Sequence, residues 1–272
     1  MRVVEALALA HAHGLARLDA QLLLALRLDR PRSWLIAHDE AELSAATEAL
    51  FRADLAQRLA GVPLAYLSGE REFRGLSLAV SPAVLVPRPD TETLVDWALE
   101  CLAGLDRPRV LDLGTGSGAI AIAIAHARPD ARVTATDIDP AALALAQANA
   151  RRHGAALEAL QGSWWQPLAG RRFELIVSNP PYIAAGDLHL PALRHEPQHA
   201  LVSGADGLDA LRRIAAEAAA HLAPGGRLLV EHGAEQGAAV RALVAAGGLQ
   251  DLGTRADLGE RPRCSGGALA GE

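Results

Sequence analysis

The chain has 272 residues, half of them hydrophobic and 21% charged, with a formal net charge of −6. That length and composition supply a core for one large domain, or a medium domain carrying a smaller one, and exclude an intrinsically disordered chain. All 26 basic residues are arginine, and the first 70 positions hold seven basic and nine acidic side chains, so no cationic stripe marks the N-terminal part for phosphate contacts and nucleic acid is disfavoured as a direct partner.

The first apolar run is interrupted by Glu5, His11 and His13, which argues against a secretory leader. No apolar stretch approaches the roughly 20 residues that span a bilayer. Residues 1 to about 70 read as helical. One run covers Leu15 to Leu28. In another, Leu43, Leu50, Phe51, Leu55 and Leu59 recur at helical intervals and predict one apolar stripe. Ser44 is placed to cap that helix, and Gly61 with Pro63 to end it. From Phe73 to Val86 the pattern shifts to short β-prone pieces, Leu76–Val80 and Val84–Val86, separated by Ser81-Pro82, which predicts a hairpin between two domains. Pro87 and Pro89 then punctuate the chain, and Asp90 is placed to cap a helix with Glu92 in its first turn.

Beyond residue 108 the order is strand, glycine turn, helix, strand, helix. Strands are predicted at Arg109–Leu113, Arg132–Thr136, Phe173–Ser178 and Arg227–Glu231. Helices are predicted at Ala119–Ala127, Pro140–His153, Leu208–Leu222 and Glu235–Ala246. This alternation means a parallel sheet with helices on both faces. Ala119 to Ala125 alternates like a strand, but it follows the glycine turn directly and Ile120 and Ile124 share a helical face, so it is read as a buried helix. Cys101 and Cys264 stand far apart in no metal-ligand spacing, which fits a reducing compartment and no disulfide framework.

Asp112-Leu113-Gly114-Thr115-Gly116-Ser117-Gly118-Ala119 joins the first of these strands to its helix, and Asp137 closes the second strand 19 residues after Gly118. Gly114, Gly116 and Ala119 satisfy the dinucleotide pattern G-x-G-x-x-G/A, and either a dinucleotide or S-adenosylmethionine would use the acid on its ribose. Asp112 separates the two. A carboxylate beside the loop would repel a pyrophosphate, whereas it suits a ligand with a cationic amine and a sulfonium.

Ser178-Asn179-Pro180-Pro181-Tyr182 follows the strand that ends at Ser178. In an open parallel sheet, ligands sit outside the carboxyl ends of the strands, so this tetrad and the glycine loop converge on one crevice. An amide or aromatic NH₂ group is a poor nucleophile because its lone pair is delocalised. A site that methylates it must hold the nitrogen in line with the donor and accept both N–H groups. Asn179 offers a side-chain carbonyl and Pro180 a backbone carbonyl. The prolines stiffen the turn, and Tyr182 offers a flat surface to a planar group. His195-Glu196-Pro197-Gln198-His199 matches the H-E-x-x-H zinc pattern, but Pro197 disfavours the helix that pattern needs, so no metal is expected.

These residues resemble the bacterial peptide chain release factor N5-glutamine methyltransferases of the PrmC/HemK type. The likeness runs over nearly the whole chain: Ala16–Ala20, Glu72–Leu76, Val86-Pro87-Arg88-Pro89-Asp90-Thr91-Glu92, Gly114–Gly118, Asp137–Asp139, Asn179–Tyr182, Ser203–Leu208 and Glu231-His232-Gly233. The tetrad is shared with adenine-N6 methyltransferases and fixes only the reaction type. The Pro-Arg-Pro-x-Thr-Glu segment is more particular to the release-factor family, which usually has glutamate where Asp90 stands. The resemblance implies an α/β fold of the class I, Rossmann-like methyltransferase kind, a seven-stranded and mainly parallel sheet whose last strands come from Leu249–Arg255 and Cys264–Leu269, the final one antiparallel. It implies a helical recognition domain at 1–72, a hairpin linker at 73–89 and a methyltransferase domain at 90–272.

It further implies S-adenosylmethionine contacts from Gly114, Thr115, Gly116, Ser117, Gly118, Asp137, Trp164 and Asn179. Catalysis falls to Asn179, Pro180 and Tyr182, with the substrate glutamine gripped by Asn179, Pro180, Pro181 and Tyr182. Arg88 and Glu92 either close over the substrate or anchor the hinge between domains. The expected partner is a release factor, methylated on the glutamine of its Gly-Gly-Gln loop by a monomeric, soluble, cytoplasmic enzyme. Methylation of a ribosomal-protein glutamine or of adenine N6, and a non-catalytic cofactor-binding scaffold, stay open as alternatives.

Overall fold

Apolar spacing accounts for the elements in the computed structural model, which describes residues 1–271. The chain divides into a unit of residues 1–70 and a second that begins at Arg71.

The first unit is helical: α1 Val3–Ala12, α2 Arg17–Leu28, α3 Arg32–Ala37, α4 Ala45–Leu59 and α5 Leu64–Ser68. Ser44 caps α4 as expected, its Oγ accepting from the Thr47 amide at 3.0 Å. The core gathers Val3, Ala6, Leu23, Leu24, Leu35, Phe51 and Leu55. The expected α4 stripe needs correction, because Leu50 and Leu59 are exposed. The inward face is instead Phe51, Asp54 and Leu55 at i, i+3 and i+4. Asp54 is tolerated inside because Arg27 grips it with two guanidinium nitrogens, Nη2 at 2.7 Å from Oδ1.

Next in the chain comes a hairpin, β1 Glu70–Phe73 and β2 Leu76–Ala79. Arg74 and Gly75 both have positive φ, as a two-residue hairpin turn requires. The hairpin expected between Leu76–Val80 and Val84–Val86 is therefore shifted back along the chain. Val84–Val86 forms no strand, and the Val86 amide donates to the side chain of Glu196 at 3.1 Å rather than to a ladder. A 3₁₀ turn at Pro89–Thr91 leads into α6 Glu92–Cys101. Asp90 does not cap that helix but faces Arg263 at 3.0 Å.

There follow β3 Arg109–Leu113, α7 Ala119–Ala127, β4 Arg132–Asp137, α8 Pro140–Arg152, β5 Leu157–Gln161, β6 Phe173–Ser178, α9 Asp209–His221, β7 Leu222–Glu231, α10 Gly237–Ala246, β8 Gln250–Ala256 and β9 Pro262–Ala268. The seven-stranded sheet runs β5-β4-β3-β6-β7-β9-β8, with β9 antiparallel to both neighbours. β5 escaped the sequence reading because it is an edge strand whose alternating residues are only partly buried. Residues 119–125 are helical and buried throughout, so their alternation reflects enclosure on every side rather than a strand.

Two apolar layers cover the sheet. Val110, Leu175, Val177 and Leu229 face α6 and α7, and Leu111, Ile176, Leu228 and Val230 face α9 and α10. Strand order departs in opposite directions from β3 and β6, which pair directly with Leu113 opposite Ser178. Their carboxyl ends therefore flank the switch point, where doubly wound sheets bind ligands.

Candidate active site

The loop after β3 and the turn after β6 open onto one cavity of about 360 Å³. Gly114, Thr115, Gly116, Ser117, Asp137, Trp164, Asn179, Pro180, Pro181 and Arg88 all line it. Gly118 does not. Its φ is +85° and a Cβ there would lie 2.8 Å from Ile122 and 3.1 Å from Ala146, so its absent side chain lets α7 approach α8.

Hydrogen bonds hold the glycine loop. The amides of Gly114 and Thr115 both donate to the Thr136 carbonyl at 2.9 Å. The Gly116 amide donates to Asp137 Oδ2 at 2.8 Å, and the Asp139 amide to Oδ1 at 3.0 Å. Asp112 is fully buried behind the loop and accepts from the Thr115 hydroxyl at 2.7 Å. Burial, with a smaller push from Asp137, raises its carboxyl to about 7. Trp164 faces Gly114 across the cavity, whereas Trp165 is buried and stacks on His221 at 4.7 Å between ring centroids. The neighbouring tryptophans thus divide into one cavity residue and one core residue.

Asn179 donates from Nδ2 to Thr91 Oγ1 at 3.1 Å, while its buried Oδ1 has no hydrogen-bond partner among the described residues. Tyr182 does not line the main cavity. It borders a smaller one of about 200 Å³, which shares Asn179, Pro180, Arg88 and Leu85 with the first. Its hydroxyl donates to Glu231 Oε1 at 3.3 Å. Burial, followed by the charge of Glu231, pushes the phenol above its ordinary range. Burial also raises Glu231 to about 7, against opposing effects of the Thr91 hydroxyl, Arg263 and Tyr182. The Tyr182 carbonyl accepts from Gln236 Nε2 at 3.0 Å, and Gly207 packs against that same carbonyl.

Arg88 lines both cavities and pairs with the buried side chain of Glu196. Glu92 lines neither; its carboxylate sits 3.5 Å from the Arg74 amide and ties α6 to the hairpin turn. The H-E-x-x-H segment forms no helix beyond a 3₁₀ turn at Gln198–Ala200. Its Glu196 instead holds residues 86–88 at the cavity wall through the Val86 amide and Arg88. The roles of Thr91, Glu196 and Glu231 were not legible in the sequence, although all three stand inside recognisable motifs. Their signal was a polar residue bordering an apolar stretch, which becomes specific only when the partner is seen.

The sheet, its switch-point cavity and the Asn-Pro-Pro-Tyr turn define a methyltransferase domain, and residues 93–243 match the Methyltransferase small domain family. Solved structures share this fold: a methyltransferase from Pyrococcus furiosus (TM-score 0.54, 18% identical, covering 80% of this chain and 98% of that one) and a T. thermophilus 16S rRNA methyltransferase in complex with AdoMet and guanosine (TM-score 0.56, 22% identical, covering 74% and 49%). Residues 4–69 match the PrmC N-terminal domain family. The release factor glutamine methyltransferase of Bordetella pertussis is 52% identical over 94% of this chain and 96% of its own length, and that of Xylella fastidiosa is 51% identical over 98% of each. The chain belongs to the release factor glutamine methyltransferase family. Among the described residues, no helix is long and apolar enough to cross a membrane.

Proposed function

We propose that this chain transfers a methyl group from S-adenosylmethionine to the side-chain amide nitrogen, N5, of the glutamine in the Gly-Gly-Gln motif of peptide chain release factors. The observation that carries this reading is the buried, unpartnered Oδ1 of Asn179 at the cavity wall. An orphaned buried acceptor is costly, and an amide N–H of the substrate would satisfy it. The names and full-length identity of the relatives supply the substrate class.

The cavity residues fit the cofactor. Their volume lies in the range of small-ligand sites, the Asp137 carboxylate suits ribose hydroxyls, and the acidic pair Asp112 and Asp137 suits a cation. Gly114 to Ser117 would approach the methionyl portion, and Trp164 the adenine. Bound there, S-adenosylmethionine supplies an electrophilic methyl group. The protein's own residues do the rest by positioning: Asn179 Oδ1 and the Pro180 carbonyl accept the two amide hydrogens, the prolines hold that turn, and Arg88 and Glu196 fix the wall beside it.

The test is transfer of labelled methyl from the cofactor to purified release factor, to ribosomal proteins and to DNA in parallel. Label on the release factor, lost when its Gly-Gly-Gln glutamine is replaced, supports the reading. Label confined to ribosomal protein or DNA overturns the substrate, and cofactor binding without any transfer overturns the enzyme.

Asp112 gives a pH signature. Its carboxyl is raised to about 7 in the free protein, and a bound cation favours the ionised form, so binding releases a proton. Cofactor affinity is expected to rise between pH 5.5 and 7.5 by about three- to tenfold, the equivalent of up to one pKa unit of coupling. Asp112→Asn should abolish this rise in titration calorimetry. An equal slope in both proteins would remove Asp112 from the linkage.

A further inference from the structure

An asparagine amide can present either its oxygen or its NH₂ group to a cavity, and only the oxygen accepts the hydrogens of a substrate amide. Something must therefore hold Asn179 in one of two nearly isosteric orientations. Among the described residues, its side chain makes a single hydrogen bond, from Nδ2 to Thr91 Oγ1 at 3.1 Å. Thr91 is itself buried, at the end of the 3₁₀ turn before α6. In that bond the threonine oxygen accepts and the amide NH₂ donates, which leaves Oδ1, without a hydrogen-bond partner among the described residues, as the atom turned to the cavity that Asn179 lines. The other polar side chain of the tetrad, Tyr182, donates its hydroxyl to the buried Glu231, at the end of β7, at 3.3 Å.

We infer that Thr91 is a positioning residue of this site: by accepting from Nδ2, it fixes the Asn179 amide with Oδ1 toward the cavity and Nδ2 away from it. This rests on the proposed amide methylation for its catalytic consequence, but not for its structural content. It also gives a physical reason for the threonine of the Pro-Arg-Pro-Asp-Thr-Glu segment, which precedes the catalytic sheet in sequence and lines the cavity at Pro87, Arg88 and Thr91. Thr91 touches the tetrad, whereas Glu92 beside it turns toward Arg74.

Thr91→Val keeps the branched shape and deletes the hydroxyl; Thr91→Ser keeps the hydroxyl. In the full-length protein, Thr91→Val is expected to lower kcat for release-factor methylation about 30-fold, within the range set by misorientation of a reacting group. KM and cofactor affinity should stay within about threefold, since valine keeps the shape of the cavity wall that Thr91 lines. Thr91→Ser should recover most of the lost turnover. The independent readout is NMR of the Asn179 side-chain amide in ¹⁵N-labelled free protein, its signals identified by their loss in Asn179→Ala. One Nδ2 proton should exchange slowly with solvent in the wild type and in Thr91→Ser, and faster in Thr91→Val. Wild-type turnover in Thr91→Val, or unchanged amide signals, would overturn the inference. So would loss of cofactor affinity and turnover in the same proportion without rescue by serine, because that pattern marks a purely structural residue. If the wild type methylates no glutamine, the functional reading fails, and the amide signals still decide the role of Thr91.

Discussion

Asn179→Ala is expected to lower methyl transfer to the release factor by about 100- to 1,000-fold, the cost typical of removing one preorganised polar contact at a reacting centre, with cofactor affinity within about threefold of wild type. The asymmetry follows from the site. The cavity has walls from the glycine loop, from Asp137 and Ile138, from Gly162 to Trp164, and from residues 83–88, and none of these depends on the Asn179 side chain. What depends on it is the buried Oδ1 acceptor, which no other group among the described residues engages. A primary amide nitrogen reacts only when its lone pair is held toward the methyl donor. The alanine variant loses that grip and keeps the adjacent prolines. Cofactor titration and single-turnover transfer separate the two effects. Turnover near wild type would remove Asn179 from the mechanism, and parallel loss of affinity and turnover would make it a cofactor residue instead.

The parts of this molecule legible in the sequence share one property: their meaning is local. The loop from Gly114 to Gly118 and the tetrad from Asn179 to Tyr182 announce themselves by residue type and by position after a strand. Ser44 announces its cap in the same way, and the structure forms it. Long-range choices were less legible. The Val84–Val86 segment has strand propensity, yet its amide goes to Glu196, 110 positions away from Val86. Leu50 and Leu59 have the spacing of a core stripe, but the helix rolls to bury Asp54 against Arg27. Asp90 has the composition of a cap and instead meets Arg263 of β9. Propensity proposes in each case, and a tertiary partner decides.

The candidate site divides the same way. Its cavity-facing residues carry recognisable chemistry, while the layer behind them looks ordinary in sequence. Glu231 and His232 show this. Both are buried, Glu231 supporting the tetrad and His232 bonding Ser265 Oγ through Nε2 at 2.8 Å. Neither could be assigned such a partner from the sequence. A buried carboxylate raised to about 7 is an uncommon arrangement, and perturbed groups of this kind gather at functional sites.

Gly207→Ala is expected to reduce transfer about 100-fold and to destabilise the second unit by about 2–4 kcal/mol, the range of strained backbone combined with a forced shift. Gly207 has a φ of +77°, and a Cβ built there would lie 2.2 Å from the backbone oxygen of Tyr182 and 2.8 Å from Gln236 Nε2. No rotamer relieves a contact with backbone, so the turn carrying Tyr182 must move. That carbonyl is also the acceptor for Gln236 at 3.0 Å, and the adjacent Ile183 pairs with residues 201–203 through its amide and carbonyl. The displacement would therefore reach the tetrad and break its outer support together. Gly104→Ala is the control. Gly104 has nearly the same backbone angle, +79°, with nothing within 4 Å of an added Cβ, so it should cost only about 1 kcal/mol and leave transfer intact. Denaturant unfolding and transfer assays on the two variants separate left-handed strain from the steric contact. Equal effects would mean that Gly207 serves only its own turn; a loss of transfer confined to Gly207→Ala would show that the Ser203–Leu208 motif holds the catalytic turn in place from behind.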